Sequence, residues 1–178
     1  MAYIDAWGNL RYVANQAFMA LLHNKAYKDD GGRRNLVYTC FARKQLRYMM
    51  GETGKSYVVG VGANPVCREH HRAASCGALG TRCVYGALVG GPGAEDEFDD
   101  SRENYQQNEV ALDWNAGFSS ALAGLAAGDM PSWDECSKTG LSSGRGSTSG
   151  ADERAPAGAW VRPLLVAAAA VAVGRLMA

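Results

Sequence analysis

Apolar positions recur at helical spacing in three stretches of the chain and lose that rhythm between them. Leu10, Val13, Ala14, Ala17, Phe18 and Leu21 fall on one stripe, which predicts a helix from Asn9 to about Tyr27, with the Asn9 side chain able to cap its first turn. The polar, glycine-containing KDDGGRR at 28–34 reads as a turn. Leu36 to Met50 reads as a second, less cleanly amphipathic helix stopped by Gly51. Val110, Trp114, Phe118, Ala121, Leu122 and Leu125 share one face of a third helix, predicted from near Asn108 to about Ala127 and ended by Gly128. Between Gly51 and Arg102, stretches such as GETGKSYVVGVGANP and GALVGGPG are rich in Gly and Pro and show no period. They mark a long loop region, and long loops carry function.

Beyond Pro131 the pattern changes. KTGLSSGRGSTSGADERAPAG is a Ser/Gly-rich linker that cannot bury enough apolar surface to fold. The expected division is residues 1–130 as the folded part, 131–163 as linker and 164–178 as a short apolar, Ala-rich tail. The unbroken apolar run from Leu164 to Val173 falls far short of the roughly 20 residues needed to span a membrane. Ser149, Gly150 and Ala151, a polar spacer and this run resemble the layout of a glycosylphosphatidylinositol attachment signal, with Arg162 and Arg175 standing against it. A weak membrane helix and an unstructured extension are the alternatives.

Eighteen basic and eighteen acidic side chains cancel, and no dense Lys/Arg stripe exists. Electrostatic binding to nucleic acid or anionic lipid therefore has nothing to work with, and a neutral partner such as a glycan fits better. MAYIDAWGNLRYVANQ has no basic segment followed by an apolar run, so export would depend on a signal upstream of this sequence. Cys40, Cys67, Cys76, Cys83 and Cys136 make an odd count without metal spacing. Cys76 and Cys83 bracket GALGTR, a separation one disulfide closes easily in an oxidising compartment; buried free thiols fit the composition equally.

Two clusters in the loop-rich middle place charges among aromatics. In SYVVGVGANPVCREHHRAASC, His70, His71 and Arg72 follow a glycine-rich turn. In FDDSRENYQQNEVALDWNAGF, Asp99, Asp100, Arg102, Tyr105, Glu109 and Asp113 lie within fifteen residues. A carboxylate in the first turn of a helix, Glu109, with Asp100 nearby, could do acid-base work. Glutamates also gather at helix N-termini because the macrodipole favours them there, so spacing alone leaves both readings open. Adjacent histidines point in different directions and rarely share one ion, so no metal and no cofactor is expected.

Both clusters resemble the two signature segments of family 9 glycoside hydrolases. The second matches at every fixed position: Phe98, Asp100, Tyr105, Glu109, Ala111, Asn115 and Ala116. The first matches at Ser56, Val58, Val59, Gly62, Asn64, His70 and Arg72, with Glu69 where the family has proline or an aliphatic residue. WGNLRYVANQAFMAL resembles a helix of the family, GALVGGP resembles the turn before its acid segment, and the likeness covers residues 5–128. Cys76 and Cys83 resemble the ends of a cysteine-bounded loop in animal-type members, although residues usual between Cys83 and Gly86 are missing here.

The resemblance implies an all-α fold, a partial (α/α)6 barrel of about the last three helices plus active-site loops, followed by a disordered Ser/Gly-rich tail. It implies an inverting endo-β-1,4-glucanase that hydrolyses internal bonds of cellulose or related β-glucans, with two carboxyl groups roughly 6.5–9.5 Å apart. Glu109 would be the general acid, Asp100 a supporting carboxylate, His70 and Arg72 hydrogen-bonding groups for the sugar, and Tyr105 a ring beside the substrate. A helix N-terminus lowers a carboxyl pKa while a general acid must keep its proton, so burial and repulsion from Asp100 are expected to push back. The family's Asp-Ala-Gly-Asp segment, which carries the base, is absent, and the tripeptide at Ala127 to Asp129 is read as coincidence. The expectation is a secreted or cell-surface cellulase chain, a fragment or truncated gene product inactive alone, that meets membrane only if its tail is an anchor signal. The alternative is a catalytically dead carbohydrate-binding remnant.

Overall fold

The computed structural model describes residues 1–27, 35–72, 83–128 and 131–139. The 28–34 turn, Cys76 with its suspected pairing to Cys83, Asp129, the linker from residue 140 and the apolar tail with its anchor-like layout lie outside the described residues. The elements are α1 (Asn9–Ala26), α2 (Leu36–Met49), the single turn α3 (Tyr105–Asn108), α4 (Leu112–Ala127) and the short α5 (Trp133–Ser137). Among the described residues there is no strand, only isolated bridges, so the expected all-α class holds.

The apolar stripes meet as their spacing requires. α1 lies between α4 and α2 and packs most broadly on α4. Leu10, Val13, Ala14 and Ala17 bury completely against Ala42, Leu46 and Met49 of α2 and Phe118, Ala121, Leu122 and Leu125 of α4. Each large side chain removed from water this way contributes about 1.5–3 kcal/mol. Other apolar side chains remain on the surface: Met19 and Leu22 on α1, Leu36, Val37 and Tyr38 on α2, and Leu112 on α4. No helix among the described residues is long and apolar enough to cross a membrane.

Three local expectations change. Asn9 does not cap α1, because Gly8 occupies the cap position in the left-handed region at φ +65°. The Asn9 amide instead accepts from the Ile4 N–H at 2.8 Å and donates to the Ala2 carbonyl at 3.1 Å, folding the N-terminal arm back over the helix. The Leu10 N–H, an orphan donor of the first turn, finds the Gly90 carbonyl at 2.9 Å. The third helix is split: α3 ends at Asn108, residues Glu109 and Ala111 are extended, and α4 begins at Leu112. Periodicity continues through the break because Val110 still faces the core.

The third change is at Pro131, where linker was expected. Ser132 and Glu135 form a reciprocal capping box at the start of α5, and their bonds hold the Glu135 carboxyl below its ordinary pKa. Cys136 is disulfide-bonded to Cys40 of α2, and the buried Arg43 guanidinium donates to the Pro131 carbonyl. Neither partner choice has a local sequence signal.

The Cys40–Cys136 bond closes a separation of 96 residues. Replacing both cysteines by serine is expected to lower stability by roughly 2–4 kcal/mol, read from urea unfolding under non-reducing conditions. Superimposable unfolding curves for the two proteins would contradict a stabilising role.

Candidate active site

A one-turn helix leaves its last carbonyls without partners of its own, and here separate segments of the chain supply them. The Gln106 carbonyl receives the Gly8 N–H at 3.0 Å, Gln107 receives Gly91 at 2.8 Å, Asn108 receives His70 at 2.8 Å and Glu109 receives Gly90 at 3.1 Å. The end of α3 thus gathers the turn before α1, the glycine loop and the His70 loop around Glu109. Gly90 is required by this approach, since a β carbon there would collide with the Gln106 carbonyl oxygen. The glycine loop is in turn held by Asn115 of α4, whose side chain accepts from the buried Leu88 N–H at 2.7 Å and donates to the carbonyls of Leu88 and Ala111. Tyr57 and Val59 add backbone bonds to Val89 and Ala87.

At the surface of this junction the Glu109 carboxylate accepts a hydrogen bond from the Trp7 indole, Nε1 to Oε2, at 3.0 Å. The exposed Trp7 and Tyr105 rings meet edge to face with centroids 5.3 Å apart, and the His70 ring lies 6.1 Å from Tyr105. The backbone bridge between His70 and Glu109 fixes their relative height, and His70 Nδ1 lies 2.6 Å from the Arg102 carbonyl. The carbonyl accepts, so Nδ1 carries a proton. In that tautomer of the neutral imidazole, Nε2 is an acceptor for a hydroxyl.

Glu109 therefore follows a helical turn instead of opening one, and the macrodipole argument for a first-turn carboxylate does not apply to it. Asp100 is engaged by the segment that precedes His70. Its two oxygens receive the N–H groups of Arg68 at 3.0 Å and Cys67 at 3.2 Å, and Lys55 lies 3.4 Å away. These bonds hold the backbone that leads into Glu69 and His70. Arg72 is exposed at the end of the described 35–72 segment. Glu69 is fully buried: Oε1 accepts from the Val84 N–H at 2.7 Å, its carbonyl accepts from Arg102 Nε, and Oε2 has no hydrogen-bond partner among the described residues.

His70, Tyr105 and Glu109, singled out in the sequence, come together. Trp7, which bonds Glu109 directly, was not named as a site residue. Its signal lay in the WGNLRYVANQAFMAL segment that resembles a helix of the family, but nothing linear connects it to a residue 102 positions away. Side-chain amides fix the acid segment: Gln107 accepts from the Asp99 N–H and donates to the Glu97 carbonyl, and buried Asn108 donates to the Asp99 carbonyl at 2.6 Å. Tyr48 donates to Asp96 at 2.6 Å, and burial, followed by the bonds to Asp96 and Tyr57, pushes its phenol well above the ordinary range.

The sequence model described as glycosyl hydrolase family 9 matches residues 1–122. Endoglucanase B of Cellulomonas fimi is 45% identical over 135 residues, which is 70% of this chain and 13% of that protein. Endoglucanase A of Bacillus pumilus is 41% identical over 134 residues, covering 69% of this chain and 20% of that one. The solved endoglucanase of the termite Nasutitermes takasagoensis is 42% identical with a TM-score of 0.60, over 70% of this chain and 31% of its own. Endoglucanase CelQ of Clostridium thermocellum, solved with cellotriose, is 39% identical with a TM-score of 0.60, over 74% of this chain and 24% of its own. The chain thus spans under a third of each of these proteins.

Two substitutions separate the supports of the site. Asn115→Ala strands the buried Leu88 N–H and is expected to cost about 1–3 kcal/mol of stability in urea unfolding. Asp100→Ala is expected to speed hydrogen exchange at the Cys67 and Arg68 amides while leaving Leu88 protected. Unchanged exchange at both amides would show that Asp100 does not hold the His70 loop.

Proposed function

We propose, from the premise that this chain belongs to glycosyl hydrolase family 9, that it carries the acid side of a β-1,4-glucan hydrolase site, with Glu109 as general acid. The observation that carries this reading is the Glu109 carboxylate set among Trp7, Tyr105 and His70 on one exposed face. Apolar ring faces suit the flat faces of glucose units, and the His70 imidazole and Arg72 guanidinium suit their hydroxyl rims. CelQ, solved with cellotriose, supports a β-1,4-linked glucose chain as the ligand.

In the inverting reaction Glu109 gives its proton to the oxygen of the bond being broken, and that oxygen leaves with the bonding pair. A water molecule attacks the anomeric carbon from the opposite face and loses its proton to a second carboxylate. Asp100 acts as a support, fastening the loop that presents His70. The base is not in the 178 residues, since the Asp-Ala-Gly-Asp segment has no counterpart. The exposed Met19, Leu22 and Leu112 support a place for α1, α2 and α4 in a larger (α/α)6 barrel, where further helices cover them. The same missing segment favours the second reading, a glucan-binding chain that turns nothing over alone. The setting proposed for either is secreted or at the cell surface.

Titrating cellotetraose into the isotopically labelled chain is expected to shift the Trp7 indole and Tyr105 ring resonances, while carboxymethylcellulose gains no reducing ends. Resonances that stay still would remove the glucan site. Reducing ends released by the chain, and lost in Glu109→Gln, would overturn the missing base.

A further inference from the structure

We infer that Trp7 is the positioning residue for Glu109, fixing which carboxyl oxygen carries the proton and stabilising the charge left when that proton departs; this rests on Glu109 being the acid. An indole N–H donates and cannot accept. Its bond to Oε2 therefore marks Oε2 as the acceptor oxygen and leaves Oε1 to bear the proton. When the Oε1–H bond breaks and the proton moves to the glycosidic oxygen, Glu109 becomes a carboxylate. The waiting indole bond then changes from neutral to charge-assisted and strengthens, which favours the transition state over the ground state.

The geometry makes this donor fixed instead of incidental. Trp7 precedes Gly8, whose N–H is tied to Gln106 and whose α carbon lies so close to the Trp114 ring that a β carbon would stand 2.8 Å from it. The Trp7 N–H is itself bonded to Asp5 at 3.3 Å, and Tyr105 supports the indole edge to face. On the other side, Glu109 is held by its own N–H to Tyr105 and by its carbonyl to Gly90. Donor and acceptor are thus anchored to the same turn, α3, from opposite ends. A tryptophan has no charge of its own to lose with pH, so the bond persists in both protonation states of the acid.

Among the described residues, the titratable groups in contact with Trp7 or with the ring beside it are Asp5 on the Trp7 segment, Tyr105 on α3 and His70 on its loop. The test follows the Trp7 indole N–H resonance of the full chain across pH, assigned by its loss in Trp7→Phe. The expected result is a step to lower field on Glu109 ionisation that persists in Asp5→Asn and in His70→Gln and disappears in Glu109→Gln. Glu109→Asp, which draws the carboxylate back by one methylene, is expected to shrink the step. A Trp7 resonance that ignores pH, or a step that survives Glu109→Gln in a protein whose Trp114 resonance is unchanged, overturns the proposal. Because this readout needs neither glucan nor turnover, its failure is distinct from failure of the glucan experiment.

Discussion

Gly90 lacks a side chain, and so the carbonyl end of α3 can lie directly on the glycine loop. Backbone carbonyls at a helix end must be satisfied, and water would do so at a free surface. Here the carbonyls of residues 106 to 109 are taken by the N–H groups of Gly8, Gly91, His70 and Gly90. Four otherwise unrelated hydrogen bonds thereby converge on one turn, and they bring an indole, an imidazole and a carboxylate together at its surface. The helical core of α1, α2 and α4 gives this junction a rigid floor, but it does not itself select the geometry.

The same competition explains which parts of the fold were legible. α1 follows from its apolar stripe, because its buried face is set by i, i+3 and i+4 spacing, and α2 follows less directly, since Arg43 and Gln45 are buried along with its apolar residues. The start of α4 does not, since Val110 continues the stripe while Glu109 and Ala111 are extended so that Glu109 can bond Gly90. A tertiary backbone bond overrode a local preference. Asn9 failed as a cap for a related reason: its amide had better partners in Ile4 and Ala2. The Cys40–Cys136 bond and the Trp7 contact with Glu109 each join positions roughly a hundred residues apart, where no spacing rule reaches.

The motif residues divide on inspection into those that face outward and those that hold. Phe98 packs edge to face on Tyr57 with centroids 5.1 Å apart, Asn115 clamps Leu88, and Asp100 clamps Cys67 and Arg68. Tyr105 and Glu109 are the second segment's members at the exposed face. A signature of this kind therefore identifies a site through its scaffold as much as through its chemistry. Asp100 belongs to the holding group, its two oxygens engaged by backbone N–H groups and Lys55.

Glu69 shows how much of this scaffold is indifferent to side-chain type. It departs from the proline or aliphatic residue of the family pattern, and a buried carboxylate with one oxygen lacking a partner among the described residues is a costly substitute. Yet the bonds that set His70 next to Glu109 are made to the main chain, from the His70 N–H to the Asn108 carbonyl and from the Arg102 side-chain Nε to the Glu69 carbonyl. Neither depends on what the side chain of residue 69 is. The Glu69 carboxylate meets its cost in part by holding the Val84 N–H, which fastens the segment after Cys83 to the His70 loop. The spacing between imidazole and carboxylate thus rests on bonds to the main chain around residues 69, 70 and 108, with the side chains of Arg102 and Asp100 as further supports.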